Sequence, residues 1–290
     1  MAGQAAPIGG VGTNWWRESR PLRGLIFALL VLVSLSMVFM PVFANRVAPD
    51  APKVEDGRVS FRTFGFADAP VPLSGSWKLM WRGPAQPGRA APGDVMSIRV
   101  PGRWEGARAP NGDPAPAQGL ATYSLRIEGL KPGAYLLYVP VIFSASQVWI
   151  NDRLATRGGV VGTDAATSRD FWRPQEVWFE ADGSDVLVRI DVAAFHHRDN
   201  GMDSIPVLGP ETMMREYVKL QTAQDFLFIA SLLLLAVYGI VVFIFRPSDR
   251  ASLYFGISCI CWIAGSSVLR NDNVILMMAP DIPFALMLTL

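Results

Sequence analysis

The residues best suited to chemistry fall in two stretches that read as loops. Phe171 and Trp172 sit among Arg169, Asp170 and Arg173, so flat apolar rings adjoin a carboxylate and two guanidinium groups. A sugar ring has apolar C–H faces and a rim of hydroxyls, and such a run offers it a stacking surface together with bidentate hydrogen bonds. Trp104 is a further aromatic in a loop-like segment. The two histidines of the chain, His196 and His197, are adjacent and are followed by Arg198. Neighbouring side chains on an extended backbone point to opposite faces, and no cysteine lies near, so joint metal ligation is disfavoured. Hydrogen bonding to a ligand, or proton sensing, is the chemistry these histidines offer. The expected ligand contacts are therefore Trp104, Trp172, Arg173, His196 and Arg198. The competing reading is that these aromatics and histidines only cover an open end of the fold. Asp199, Asn200 and Asp203 supply oxygens without the spacing of a calcium loop. No metal and no cofactor is expected.

Catalytic motifs are absent from the sequence. There is no G-x-S-x-G elbow, Cys/His nucleophile pairing, P-loop or G-x-G-x-x-G. The expectation is a visible chain that is not an enzyme. Net charge is only +1, with no basic face or acidic tail, which argues against a nucleic-acid partner.

These loops must be positioned by strands. Trp77, Leu79 and Trp81 alternate with Lys78, Met80 and Arg82; Tyr123, Leu125 and Ile127 alternate with Ser124, Arg126 and Glu128. Val186, Val188, Ile190 and Val192 alternate with Leu187, Arg189 and Asp191 in the same way. Period two marks strands with one buried face. Apolar runs at Tyr135–Val139 and Gln147–Ile150 are bounded by Lys131-Pro132-Gly133 and by Asn151-Asp152, the latter reading as a hairpin turn. The expected fold of residues 50–210 is an antiparallel β-sandwich with Trp77, Trp81 and Trp149 in or near its core. The Pro/Ala/Gly-rich stretch Gly102–Gly119 is long for a sandwich loop and reads as either functional or merely floppy, its composition favouring the floppy reading.

Around that domain the chain is apolar. Charge-free runs at Gly24–Ala44, Phe226–Phe245 and Ala251–Leu269 each match the ~20 residues an α-helix needs to cross a bilayer. Half of all residues, 51%, are hydrophobic, which these runs explain. Arg17, Arg20 and Arg23 precede the first run, and Arg246 and Arg250 lie between the later two, so both places read as cytoplasmic and the large domain as outside. Val42-Phe43-Ala44 also fits a signal-peptidase site, leaving cleavage and a retained anchor both open. The expected organisation is a cytoplasmic terminus at 1–23, a helix or signal peptide at 24–44, the outside domain at 50–210, a juxtamembrane helix at 211–225 and spans at 226–245 and 251–269. Residues 274–290 read as the start of a further segment that the chain leaves unfinished. Met214, Tyr217 and Val218 stand at helical spacing on the juxtamembrane piece. Cys259 and Cys261, the only cysteines, face about 200° apart on a helix and are not expected to bond.

The order LSGSWKLMW (Leu73–Trp81), VPGRWEG (Val100–Gly106), GLATYSLRI (Gly119–Ile127) and FSASQVWINDRL (Phe143–Leu154) resembles the galactose-binding-like jelly roll that precedes the barrel of beta-galactosidase-type glycoside hydrolases. With spans following directly, and with FHHRDNGM (Phe195–Met202) and PVLG (Pro206–Gly209) closing the domain, the chain is similar to bacterial seven-transmembrane receptors with diverse intracellular signalling modules. That resemblance implies an inner-membrane receptor with a periplasmic jelly-roll sensor, lipid contacts and pairing through its helices or output domain. It also implies an output module, a diguanylate cyclase or histidine kinase, beyond these residues, so that the chain is the front part of a longer protein. The sugar-binding ancestry of the domain implies a carbohydrate or similar small ligand. The rival expectations are a transporter and a carbohydrate-binding subunit without output. Transporters place ionisable residues inside their spans, and Phe226–Phe245 and Ala251–Leu269 contain none.

Overall fold

The computed structural model describes residues 50–66, 69–83, 91–197 and 200–269, with Leu32 and Ala48. The expected segments at 24–44 and 274–290 lie outside the described residues. Thirteen strands precede two helices: β1 Arg58–Ser60, β2 Val71–Pro72, β3 Gly75–Trp81, β4 Val95–Val100, β5 Gly102–Arg103, β6 Gly119–Glu128, β7 Gly133–Val139, β8 Ala145–Ile150, β9 Arg153–Gly158, β10 Gln175–Ala181, β11 Val186–Ala194, β12 Gly201–Met202 and β13 Val207–Pro210, then α1 Glu211–Phe245 and α2 Arg250–Leu269. One sheet runs β4-β3-β6-β11-β8-β9, with β1 beside β6; the second runs β10-β7-β13-β2; a small ribbon pairs β12 with β5. All pairings but that of β1 with β6 are antiparallel.

The two larger sheets share one core. Trp77, Leu79, Trp81, Tyr123, Leu125, Ile127, Val188 and Ile190 of the first sheet are fully buried with Leu137, Val139 and Leu208 of the second. Each takes the inward position of a period-two strand, so burial follows alternation. Trp149 does not join them. Val148 and Ile150 occupy the inward positions of β8, which turns the side chain between them outward. There its Nε1 donates to Asp191 Oδ2 at 2.9 Å, and the Arg189 guanidinium lies 5.5 Å over its ring. Asn151 and Asp152 both have positive φ, 47° and 64°, as the tight turn between β8 and β9 demands.

The stretch Gly102–Gly119 is packed, contrary to the expectation of a loose loop. β5 pairs with β12, Ala109 and Ala115 are buried, and Trp104 is fully enclosed. Local periodicity could not signal this, because β12 and Trp81 are remote in sequence and the hydrogen bonds within the stretch follow no regular period.

β7 is buried on both faces. Tyr135, Leu137 and Val139 enter the sandwich core, whereas Leu136 and Tyr138 form a separate cluster with Val207, Met214, Tyr217 and Val218. α1 therefore lies on the outer face of the second sheet. Tyr138 and Tyr217 meet edge to face at 6.2 Å. Gly209 permits the approach: a Cβ there would sit 3.0 Å from the Met214 side chain.

The expected juxtamembrane helix and following span are one continuous helix. At 1.5 Å per residue, the 35 residues of α1 extend about 52 Å. This helix is long and apolar enough to cross a membrane, and only 22% of its most apolar window is buried, so it is no core helix of the sandwich. The described apolar part of α2, Arg250–Ile263, is shorter, and more than one span is not shown. The helices cross closely: a Cβ on Gly239 would fall 2.6 Å from the Ser252 carbonyl oxygen and 3.0 Å from Gly256 N. Cys259 and Cys261 are both free thiols, one buried and one exposed.

Candidate functional site

Strand directions divide the sandwich into two ends. β10 begins at Gln175, opposite Val139, and ends at Ala181, opposite Gly133; Tyr135 pairs with Pro210, where α1 starts. The end holding Gln175, Ala145 and Ala194 is therefore distal to the start of α1 by the rise from Tyr135 to Val139, about 13 Å.

Most of the sequence-predicted contacts lie at the distal end. His196 stands on the bend after β11, with Nδ1 3.4 Å from Asp170 Oδ2 and Nε2 3.0 Å from the Ala165 carbonyl. His197 turns the other way and stacks on Phe143 at 5.4 Å, with Trp172 edge-on to Phe143 at 5.7 Å. The Arg173 guanidinium lies 5.9 Å from the Phe171 ring centre. The two histidines thus serve different groups, one polar and one aromatic. Asp170 Oδ1 is buried without a hydrogen bond. Burial pushes the Asp170 carboxyl above its ordinary range, opposed by His196, by the Ala145 backbone and by His197. Behind this rim, Gln175 Nε2 donates to Ser146 Oγ at 2.6 Å while its Oε1 is buried without a partner.

Trp104 lies at the same end but not on this rim. Its side chain is wholly enclosed, Nε1 donates to the Pro116 carbonyl at 3.1 Å, and Trp81 packs edge-on at 6.1 Å. It closes the core and offers no surface to a ligand. Arg198 lies outside the described residues. Asn200 is equally structural: Oδ1 accepts from Glu105 N at 3.1 Å and Nδ2 donates to the Ala117 carbonyl at 2.6 Å, so it is no free oxygen ligand for calcium. Among the described residues no group of three or more His, Cys, Asp and Glu is placed to hold a metal ion.

The proximal end contains a feature the sequence reading missed. A cleft of about 720 Å³ opens between β9, β10 and the start of α1, lined by residues including Asn151, Arg153, Trp178, Glu180, Glu211 and Arg215. Arg215 binds Glu211 Oε1 through both Nε and Nη2, at 2.8 and 2.6 Å, and its guanidinium lies 4.5 Å over Trp178. Tyr135 and Phe179, stacked at 5.9 Å, also line the cleft. A smaller cleft of about 220 Å³ shares Tyr135 and is walled by Phe61, Phe64 and Phe66. The signal available in the sequence was Glu176-Val-Trp-Phe-Glu180, which places Trp178 in the outward phase of a strand, and Glu211 four residues before Arg215.

No protein-family model matches the chain, and no curated protein matches it. Among solved structures it is similar to a GH2 beta-galacturonidase from Eisenbergiella tayi bound to galacturonate, at 16% identity and TM-score 0.35, covering 51% of this chain and 26% of that one. It is also similar to a Faecalibacterium prausnitzii beta-glucuronidase, at 12% identity and TM-score 0.36, covering 51% and 32%. A beta-D-glucuronidase of Dictyoglomus thermophilum matches at 13% identity and TM-score 0.35, covering 52% and 30%. The chain thus spans about a quarter to a third of the length of these enzymes. The expectation of a chain that is not an enzyme is corrected by these matches, because the proteins concerned are glycoside hydrolases.

Proposed function

We propose that the chain is the sensor and first membrane portion of a signal-transduction receptor, with a jelly-roll sandwich on the outer side of an inner membrane and α1 as the element that carries the signal inward. The observation that supports it is the junction. α1 leaves the last sandwich strand at Pro210 without a linker, docks Met214, Tyr217 and Val218 on the sheet, and continues into an apolar stretch of membrane-crossing length. A change in the sandwich would move such a helix directly. The ligand is a carbohydrate or similar small polar molecule, for which Trp172, Arg173 and His196 provide a ring, a guanidinium and an imidazole on the distal rim. Signalling then requires that ligand bind one state of the helix better than the other. α2 returns through the bilayer after the Arg246–Arg250 turn, and the arginines there favour a cytoplasmic position. The output module, a diguanylate cyclase or histidine kinase by resemblance to the receptor family, belongs to sequence outside these residues, and pairing of two copies would run through the helices or that module.

Cysteine labelling in intact cells tests the orientation. In a variant lacking Cys259 and Cys261, Asp182→Cys on the sandwich reacts with a membrane-impermeant maleimide, and Ser248→Cys between the helices reacts only after permeabilisation. The reverse pattern would overturn the receptor reading.

A further inference from the structure

The proximal cleft has the makings of a second site. It is open because β9 and β10 are edge strands of different sheets, so their outer backbone groups are not joined to each other across the gap. Its volume, about 720 Å³, falls in the range of small-molecule sites. Trp178 keeps 40% of its surface exposed even with Arg215 over its ring. An exposed tryptophan rimmed by charged groups suits a ligand that is apolar on one face and polar at its edge.

The lining also selects by charge. Arg153 and Arg215 face Glu180 and Glu211, two cations against two anions. An acidic ligand would meet the two carboxylates and a basic one the two guanidinium groups, so neither gains from a net field. A hydroxyl both donates and accepts, and can use the carboxylates, the guanidinium groups and the amide of Asn151, whose Oδ1 is already engaged by the Leu187 N–H at 2.7 Å. The geometry points to a site for a neutral saccharide in this cleft, held at once by the edges of both sheets and by the first turn of α1. The occupant would touch Glu211 and Arg215, the residues that fasten the helix to Trp178. Its effect on signalling rests on the receptor reading above; its binding does not.

The test uses the full 290-residue chain in lauryldimethylamine-oxide micelles, because a glycoside detergent would compete. Saturation-transfer NMR is recorded with cellobiose and maltose, and with glucuronic acid and glucosamine as charged comparators. Recorded in a Trp172→Ala background, so that the distal rim does not contribute, the expected result is transfer to a neutral disaccharide that weakens by about tenfold or more on adding Trp178→Ala or Arg153→Ala and persists on adding Trp178→Phe. Both mutated positions are surface sites, and unchanged circular dichroism shows that each variant is folded. In that background, no transfer to either neutral disaccharide, stronger transfer to a charged comparator, or transfer kept undiminished on adding Trp178→Ala would each overturn the cleft. Those outcomes leave the labelling pattern of positions 182 and 248 untouched, so failure of this site and failure of the receptor reading are separately visible.

Discussion

At the distal end of the sandwich, tryptophan is used to close the fold; at the proximal end it is left on the surface. Trp81, Trp104 and Tyr123 fill the gap between the sheets and have no accessible surface. Trp178 stands on an outward strand position with 40% of its surface exposed, and its neighbour is a guanidinium from the helix. The difference follows from what each end must do. The distal opening has only loops to cover it, so the chain brings back β5, β12 and a buried indole. The proximal opening has α1 beside it, and that helix covers Leu136 and Tyr138 but leaves the flank between β9 and β10 open. The distal core is closed beneath the Trp172 rim, whereas the proximal flank stays open beside the helix.

The largest expected effect is therefore distal. Trp104→Ala should destabilise the sandwich by about 3–5 kcal/mol, because it removes a fully buried ring and leaves the Pro116 carbonyl without its donor. Denaturant titration of the full chain measures it. Wild-type unfolding in this variant would show that the indole is not a plug and would dissolve the contrast.

Next comes the helix interface. Met214 is wholly buried against β7 and β13, and Met214→Ala should cost about 2 kcal/mol or more of docking, while Met214→Leu should be nearly neutral. Hydrogen exchange would read this as faster exchange over residues 211–221 with β6 and β11 unchanged. Equal acceleration in the sandwich strands would mean that helix and sandwich open as one unit.

The part of this architecture that was legible in the sequence is the part governed by alternation. Trp77, Leu79, Tyr123, Leu125, Val188 and Ile190 all took their inward places because a strand has only two faces. The same rule, applied to β8, puts Trp149 outside once Val148 and Ile150 are recognised as the inward pair; its residue type had suggested the core. Trp104 was misplaced for a different reason. It lies in a Pro/Gly-rich stretch with no period, and its partners Trp81, Pro116 and Tyr123 are set by the return of the chain over the sandwich end. The proximal cleft is non-local in the same sense: β9, β10 and α1 are each readable, but the space between them is a property of the assembled sheets.

The distal rim should also carry a pH dependence. Burial holds the Asp170 carboxyl above its unfolded value of 3.8, so the folded state binds more protons than the unfolded state between that value and the raised one. Stability contributed at this residue therefore falls as pH rises through that window, and recovers on acidification. Asp170→Asn should flatten this limb of the stability–pH curve while leaving the proximal helix exchange unchanged. An unchanged curve would show that Asp170 is solvated as in the unfolded chain.

The smallest expected effect separates two explanations of the proximal end. If Arg215 only decorates the surface, replacing it changes nothing, since a half-exposed i,i+4 ion pair is worth a few tenths of a kcal/mol. If its guanidinium also clamps α1 to Trp178, the stacking adds about 0.5–1 kcal/mol at such an exposed site. Arg215→Gln should then loosen the first turns of α1 by about that amount, a few-fold in exchange rate. Arg215→Lys should recover only part of it, because an ammonium keeps the charge but not the planar face or the two-nitrogen grip on Glu211. The informative comparison is with Trp178→Ala. If the two residues form one clamp, the double variant Arg215→Gln/Trp178→Ala is no looser than either single variant, as a thermodynamic cycle requires for a shared contact. Strict additivity would mean that the helix is held by Met214 and Tyr217 alone, and that an occupant of the cleft has no lever on α1 through Arg215.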